Sequence, residues 1–234
     1  MNPKSKDKHI VVLTGAGISA ESGLSTFRDT GGLWEQHSVE EVATPWAWRV
    51  DPGKVLKFYN ERRHQVRHAE PNAAHYALAN LAKRFRVSII TQNIDDLHER
   101  AGSTDVLHLH GEIMKARSTI DPKLIYDLEG RDIELGDECA KGSQLRPHVV
   151  WFYEDVPEFE KAAKITEKAD LLLVVGTSLA VYPAASLVEY VRPDTPVIVI
   201  APELEAVPKG VTWFKDKAAV KLPELVRQWL DEGL

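Results

Sequence analysis

Four short runs along the chain are apolar at nearly every position, rich in β-branched residues and closed by turn formers: HIVVLTG (9–15), RVSIITQN (86–93), ADLLLVVGT (169–177) and TPVIVIAP (195–202). Runs of this kind predict strands covered on both faces, as in a parallel sheet. A fifth, DVLHLHG (105–111), is shorter and alternates. Helical spacing falls between them, in PNAAHYALANLAKR from Pro71, DDLHERAG ending on Gly102, VPEFEKAAKITEKA from Val156 and PAASLVEYV from Pro183. The C-terminal LPELVRQWLDEG opens on proline and closes on glycine, which marks a helix with its start at the proline. Strand alternates with helix, so the expected fold class is α/β: a doubly wound parallel sheet with right-handed crossovers.

Two stretches interrupt that rhythm. Residues 28–70 hold helical segments and no convincing strand, and residues 112–146 mix short apolar pieces with Asp, Glu, Gly and Pro. Both exceed ordinary connections in length. They are expected to form a smaller second domain from two insertions, leaving 1–27, 71–111 and 147–234 to the sheet-bearing domain.

Composition narrows the function. The net charge is -6 and no Lys/Arg run exceeds a pair, which argues against nucleic acid or an acidic membrane as the partner. The polar start MNPKSKDKH is not followed by the apolar core of a signal peptide, and DLLLVVG is far too short to span a bilayer. Cys139 is the only cysteine, so neither an intrachain disulfide nor a multi-cysteine metal site can form. A cytoplasmic, monomeric enzyme is the simplest expectation.

The candidate chemistry lies at the strand ends. Gly15, Gly17 and Ala20 satisfy a G-x-G-x-x-G/A turn directly after a strand, where backbone N–H groups can approach a pyrophosphate. A tight strand-to-helix turn would look the same, and the acidic ribose reader expected about twenty residues on has no counterpart, which weighs against an ordinary dehydrogenase. TQNIDD places Gln92, Asn93 and Asp95 in one turn, suited to a carboxamide or sugar hydroxyls, or else to capping the next helix. HLHG sets His108 and His110 on one face of a strand. His110, at the strand end, is the better general base, and His108 is expected to be structural. GTSLAVYPAA (176–185) is a second strand-to-helix turn whose amides and hydroxyls suit phosphate or ribose.

Together GAGISAESGLSTFR, TQNID, HLHG, RPHVVWF and GTSLAVYPAA occur in an order and spacing that resembles the sirtuins, NAD-dependent protein lysine deacylases, over roughly residues 9–230. The resemblance implies a Rossmann-like sheet domain with NAD as cofactor. Gly15, Ala16, Gly17, Ala20, Phe27, Arg28, Trp34, Gln92, Asn93, Ile94, Asp95, Gly176, Thr177, Ser178, Glu203 and Ala218 would bind it, the segment through Phe27, Arg28 and Trp34 being a closing loop. His110, with Asn93, would be catalytic. Val150, Trp151 and Phe152, with Val181, would hold an acyl-lysine peptide or protein as an added strand. In the implied reaction the acyl oxygen attacks the ribose C1′ and expels nicotinamide, His110 activates a ribose hydroxyl, and free lysine and O-acyl-ADP-ribose result. An NAD glycohydrolase or ADP-ribosyltransferase would need the same bond cleavage without an acyl-lysine tunnel. A non-catalytic NAD-binding module would be expected to lack the general base that His110 supplies.

The chain departs from the family pattern in places. Tyr153-Glu154 stands where Gly-Glu is usual, Ala201-Pro202-Glu203 where N-x-E is usual, and Asp29 where a small residue is common. The helix expected after DPGK carries Val55, Phe58, Tyr59, Arg62 and Val66 on one face. The neighbours of Arg62 at helical spacing are Phe58, Tyr59, Gln65 and Val66, so no carboxylate on the helix pairs with it. A buried guanidinium needs an anion. A succinyl or malonyl carboxylate would serve, as would an acid elsewhere in the fold. Tyr59-x-x-Arg62 and Ala43 match the acyl pocket of the acidic-acyl branch. The zinc cysteines of the family are missing: Ser118 stands at the first position and only Cys139 remains in the second half. No metal is expected, with apolar packing by Ile120, Leu124, Ile125, Tyr126, Leu128, Ile133 and Leu135 in its place.

Overall fold

The computed structural model describes residues 8–25, 37–204 and 210–234. Six strands form one parallel sheet: β1 (His9–Thr14), β2 (Arg86–Thr91), β3 (Val106–His108), β7 (Leu171–Val175), β8 (Val197–Ile200) and β9 (Val211–Phe214), ordered β3-β2-β1-β7-β8-β9. Taken in chain order these are strands 3-2-1-4-5-6, the Rossmann arrangement, with its switch point between β1 and β7. In β1, Ile10 and Val12 pack against one cluster of side chains and Val11 and Leu13 against another. The first cluster joins the helices Ala73–Leu81 and Ala218–Glu232, and the second joins the helix Phe159–Thr166 and the 3₁₀ helix Ala184–Tyr190. Burial on both sides explains the unbroken apolar runs, each fully buried large side chain contributing roughly 1.5–3 kcal/mol.

A second sheet of three antiparallel strands, ordered β5-β4-β6, is built from β4 (Gly111–Ser118), β5 (Ile125–Asp127) and β6 (Leu145–Val149). Its strands β4 and β6 cross the expected divisions at 111/112 and 146/147. Against it packs the helix Pro52–His68, capped by Asp51, whose side chain accepts the Lys54 N–H at 2.9 Å. That helix is buried on two sides. Val55, Phe58, Tyr59 and Val66 face the cleft cluster, while Leu56 joins Ala116, Leu128 and Leu145. Arg63 lies on the same helix and donates from Nε to the Ile113 carbonyl at 2.8 Å.

The elements differ from expectation at three points. β9 and the small sheet have no counterpart in the sequence reading. The C-terminal helix begins at Ala218 and carries Pro223 inside it, because Ala218 and Leu222 continue the apolar stripe of Leu225, Val226 and Trp229 past the proline. No helix among the described residues is long and apolar enough to cross a membrane.

Candidate active site

The two glycine turns meet at the switch point. Gly15 N–H donates to the Val175 carbonyl at 3.1 Å and Gly17 N–H to the Gly176 carbonyl at 2.8 Å. A Cβ on Gly15 would stand 2.7 Å from that of Thr177, and one on Gly17 would stand 2.8 Å from the Gly176 oxygen. Only glycine allows the turns to touch. They open onto a cleft of about 790 Å³ running between the large sheet and the helical part of the small domain. That volume falls within the range of small-molecule and cofactor sites.

Every expected site residue that the structure describes lines this cleft. From the loops and helix starts around the large sheet come Gly15, Ala16, Gly17, Ala20, Gln92, Asn93, Ile94, Asp95, His110, Gly176, Thr177, Ser178, Glu203 and Ala218. Ala43, Tyr59, Arg62, Val150, Trp151, Phe152 and Val181 close the other end. Phe27, Arg28 and Trp34 lie outside the described residues, as does Asp29. Tyr153, standing where the family pattern has glycine, lines the cleft mouth and is 88% exposed, on backbone turned to a positive φ of 69°.

His110 follows β3 and is aimed by one hydrogen bond: Nδ1 lies 3.0 Å from the Gln92 carbonyl oxygen. A carbonyl only accepts, so Nδ1 carries the proton, and the neutral ring presents Nε2 as an acceptor. Burial pulls its pKa below the usual value, against the opposing pull of the Gln92 carbonyl. His108 is different. Burial lowers its pKa too, but the Glu99 carboxylate at 2.9 Å and the Asn93 carbonyl at 3.1 Å outweigh it, and the net shift is upward. Both of its nitrogens are committed to acceptors, which makes it structural.

Beneath the Gln92–Asp95 turn lies a polar network that sequence patterns did not single out. Ser19 Oγ donates to Asp95 Oδ2 at 3.0 Å and accepts from Asn93 Nδ2 at 3.0 Å, with His75 Nε2 at 3.5 Å. Asp95 Oδ1 also accepts the Leu97 N–H, so the residue ties down the turn before the helix while lining the cleft. Burial pushes the Asp95 carboxyl upward against these bonds. Thr14 Oγ1 donates to Thr91 and lies 3.0 Å from His98 Nε2, and the His75 and His98 rings sit 5.0 Å apart. These contacts join positions far apart in the chain, which no local spacing could reveal.

The buried histidines set an acid limit on stability. Burial lowers His75 to about 4 and His98 well below its ordinary value. Unfolding frees both to bind protons near pH ~6.5, so the unfolded state takes up more protons as pH falls. Their contribution is complete above pH ~6.5 and is lost as pH falls towards the folded-state values. Urea midpoints should therefore drop between about pH 6.5 and 4, and His75→Asn should flatten part of that slope. An unaltered slope would assign acid sensitivity to other groups.

In the small sheet, four of the seven residues expected to close the corner by apolar packing do so, and polar contacts complete it. Leu128 and Ile133 are buried and Leu124 and Tyr126 partly so, but Ile120, Ile125 and Leu135 are 64%, 45% and 62% exposed. The β5 edge and adjoining turns leave those three without a covering layer. Ser118 and Ser143 hydroxyls lie 3.0 Å apart, and Cys139 Sγ is 3.3 Å from Ser143 Oγ. The Ile120 and Asp121 N–H groups donate to Ser118, and Lys141 Nζ pairs with Asp121 at 2.8 Å. Hydrogen bonds from Ser118 and Ser143 draw the Cys139 thiol down to about 6. Among the described residues no three His, Cys, Asp or Glu side chains stand close enough to hold a metal. One thiol with two serines does not fit the four Cys/His donors of structural zinc.

Paired glycine turns at the switch point of a six-stranded parallel sheet, with a histidine lining the cleft, define a nucleotide-cofactor enzyme. Residues 15–183 match the Sir2 family, and the chain belongs to it. It is 48% identical over 226 residues to the NAD-dependent protein deacylase of Helicobacter pylori (strain J99 / ATCC 700824), covering 96% of both chains. It is also 52% identical over 201 residues to that of Bacteroides thetaiotaomicron, covering 84% of this chain and 86% of the relative. Among solved structures, a Sir2 homologue–NAD complex superposes with TM-score 0.88 at 42% identity, over 97% of this chain and 91% of that one. A Sir2 protein with a deacetylated p53 peptide and 3′-O-acetyl ADP-ribose gives 0.77 at 30% identity, over 96% and 93%.

Proposed function

We propose that this NAD-dependent protein deacylase removes acidic acyl groups, succinyl and malonyl, as well as acetyl from lysine, with His110 as the general base. NAD supplies the nicotinamide–ribose bond whose cleavage drives acyl transfer. The Gly15–Gly17 turn and Gly176–Ser178 suit its phosphates and ribose, and the Gln92–Asp95 turn suits its carboxamide. The neutral His110 ring, oriented through Nδ1 by Gln92, takes a proton at Nε2. Trp151, Phe152 and Val181 line the end through which an acyl-lysine would enter.

The observation that carries the acyl preference is Arg62. It lines the cleft and donates to the Ser25 carbonyl at 2.9 Å and to the Ser25 and Gln65 side chains at 3.3 and 3.4 Å. Among the described residues no carboxylate forms an ion pair with it. Burial lowers its pKa, opposed by Asp95 and Tyr59. An uncompensated guanidinium beside the buried Tyr59 matches an acyl chain ending in a carboxylate. Mass spectrometry of acetyl-, succinyl- and malonyl-lysine peptides with and without NAD tests the reading. NAD-dependent loss of the acidic acyl groups supports it, and NAD consumption without any deacylation would replace it with a glycohydrolase.

The same reading includes a small domain that holds without zinc, supported by the misfit of Ser118, Cys139 and Ser143 as a ligand set. Purified protein should carry no stoichiometric zinc, and a strong chelator should leave its Tm and its activity unchanged. One zinc per chain by elemental analysis would overturn this, since a structural site contributes roughly 10 kcal/mol or more and would be evident in both measurements.

A further inference from the structure

Trp151 forms a wall of the cleft, its ring 6.4 Å from that of Tyr59 and 5.7 Å from that of Trp48. Behind that wall lies a largely buried charged cluster whose two arginines, Arg146 and Arg117, stand back from the cleft while Glu154 touches its lining. The Arg146 guanidinium carbon stands 3.2 Å from the Trp151 ring centroid, so the flat cation and the indole stack. Arg146 grips Glu154 with Nη1 and Nη2 at 2.6 and 3.1 Å, and Nη2 also donates to the Val149 carbonyl at 2.9 Å. Glu154 in turn accepts the Trp151 backbone N–H at 2.8 Å and Arg117 Nη2 at 3.2 Å. The positive φ at Tyr153 turns the chain between Trp151 and Glu154. The indole is thus braced twice: Glu154 holds its main chain, and Arg146 holds its ring and the carboxylate together.

Burying two guanidinium groups around one carboxylate is an expensive way to fill a core, since apolar side chains of similar volume often serve as well or better. What this arrangement adds is direction. A planar fork bonded at three points permits one orientation, and the ring stacked on it inherits that orientation. We propose that Arg146 is a positioning residue for acyl specificity: by bracing Trp151 it sets the width of the pocket between Trp151 and Tyr59, which longer acyl chains require and acetyl does not. The inference rests on the reading that the Tyr59–Arg62 end of the cleft receives the acyl group.

The test compares wild type with Arg146→Met and Arg146→Lys. It measures calorimetric Kd for acetyl-, butyryl- and succinyl-lysine peptides without turnover, KM and kcat for the same peptides and for NAD, and Tm. Arg146→Met should raise Kd and KM for succinyl- and butyryl-lysine by about three- to tenfold, the scale of one off-rotamer side chain or one lost cation–π contact. Acetyl-lysine binding and the KM for NAD should stay at wild-type values. Arg146→Lys keeps a cation beside Glu154 and so protects the fold while losing the stacked plane. It should shift the same two peptides by less, which preserves the test if the methionine variant does not fold. Equal weakening of all three peptides, or losses that simply follow Tm, would make Arg146 a stability residue and overturn the proposal. Butyryl-lysine needs the same width without a carboxylate partner. A wild type that binds butyryl- but not succinyl-lysine would therefore refute the acidic-acyl reading while the Arg146 comparison still decides on the neutral chain.

Discussion

The His110→Ala protein should fold and bind acyl-lysine peptide, but its turnover should fall by ~10²–10⁴, the usual contribution of a positioned general base. The expectation follows from one hydrogen bond. The Gln92 carbonyl at 3.0 Å fixes the proton on Nδ1, and among the described residues nothing bonds to Nε2. That leaves a ring nitrogen with its lone pair available beside the nucleotide turns. The pH profile gives an independent check. Burial holds the His110 pKa below its ordinary value, so the active, neutral form persists into mildly acidic solution. The acid limb of kcat/KM should therefore lie below pH ~6.5, falling as pH drops through the lowered pKa. In His110→Ala that limb should vanish along with the rate. Normal turnover by the variant would remove His110 from the chemistry, whatever the pH profile of the wild type.

The large sheet could be read from the chain because its central strands are covered on both faces. VVL, SII and LLLVV have no polar alternation to confuse them with surface. β9 was invisible for the opposite reason: Val211 and Trp213 pack inward while Thr212 is exposed, and four such residues beside a charged segment look like a loop. The small sheet hid in the same way. β4 reads GEIMKARS, polar at half its positions, and its pairing with β6 shifts register between Gly111 and Ala116. Neither period survives a break of that kind.

The site divides along the same line. Gly15, Gly17, Gln92, Asn93, Asp95, His110 and Gly176 are legible because each sits at the end of a strand, where chain order already fixes position in a parallel sheet. Ser19, His75, His98, Arg146 and Glu154 act through partners brought together by the fold. Nothing in PNAAH announces a histidine packed edge-on against His98 and bonded towards Ser19. Arg62 lies between these cases. Its oddness in an apolar stripe was visible in the sequence. That its guanidinium reaches the cleft and Ser25 depends on where the helix Pro52–His68 packs.

Arg62→Met should separate the acyl groups. A charge-assisted hydrogen bond to a carboxylate is worth about 1.5–3 kcal/mol, so kcat/KM for succinyl-lysine should fall about 10- to 150-fold. The loss should appear mainly in KM, because the carboxylate lies at the far end of the acyl chain from the reacting carbonyl and its contact is made equally in ground and transition states. Acetyl-lysine has no such group and should lose far less. A common loss on both substrates is expected to be small and has a known source: Arg62 donates to the Ser25 carbonyl, and methionine cannot. The ratio of the two kcat/KM values removes that shared term, so the ratio is the readout. Arg62→Lys refines it, because a point charge restores attraction without the bidentate fork and should recover part of the succinyl rate. Methionine also leaves the apolar side of the helix intact, with Phe58, Tyr59 and Val66 still buried, so a large fall in Tm is not expected. Equal loss on acetyl- and succinyl-lysine would mean that Arg62 serves the fold through Ser25 and that the acyl carboxylate, if accepted at all, is held elsewhere.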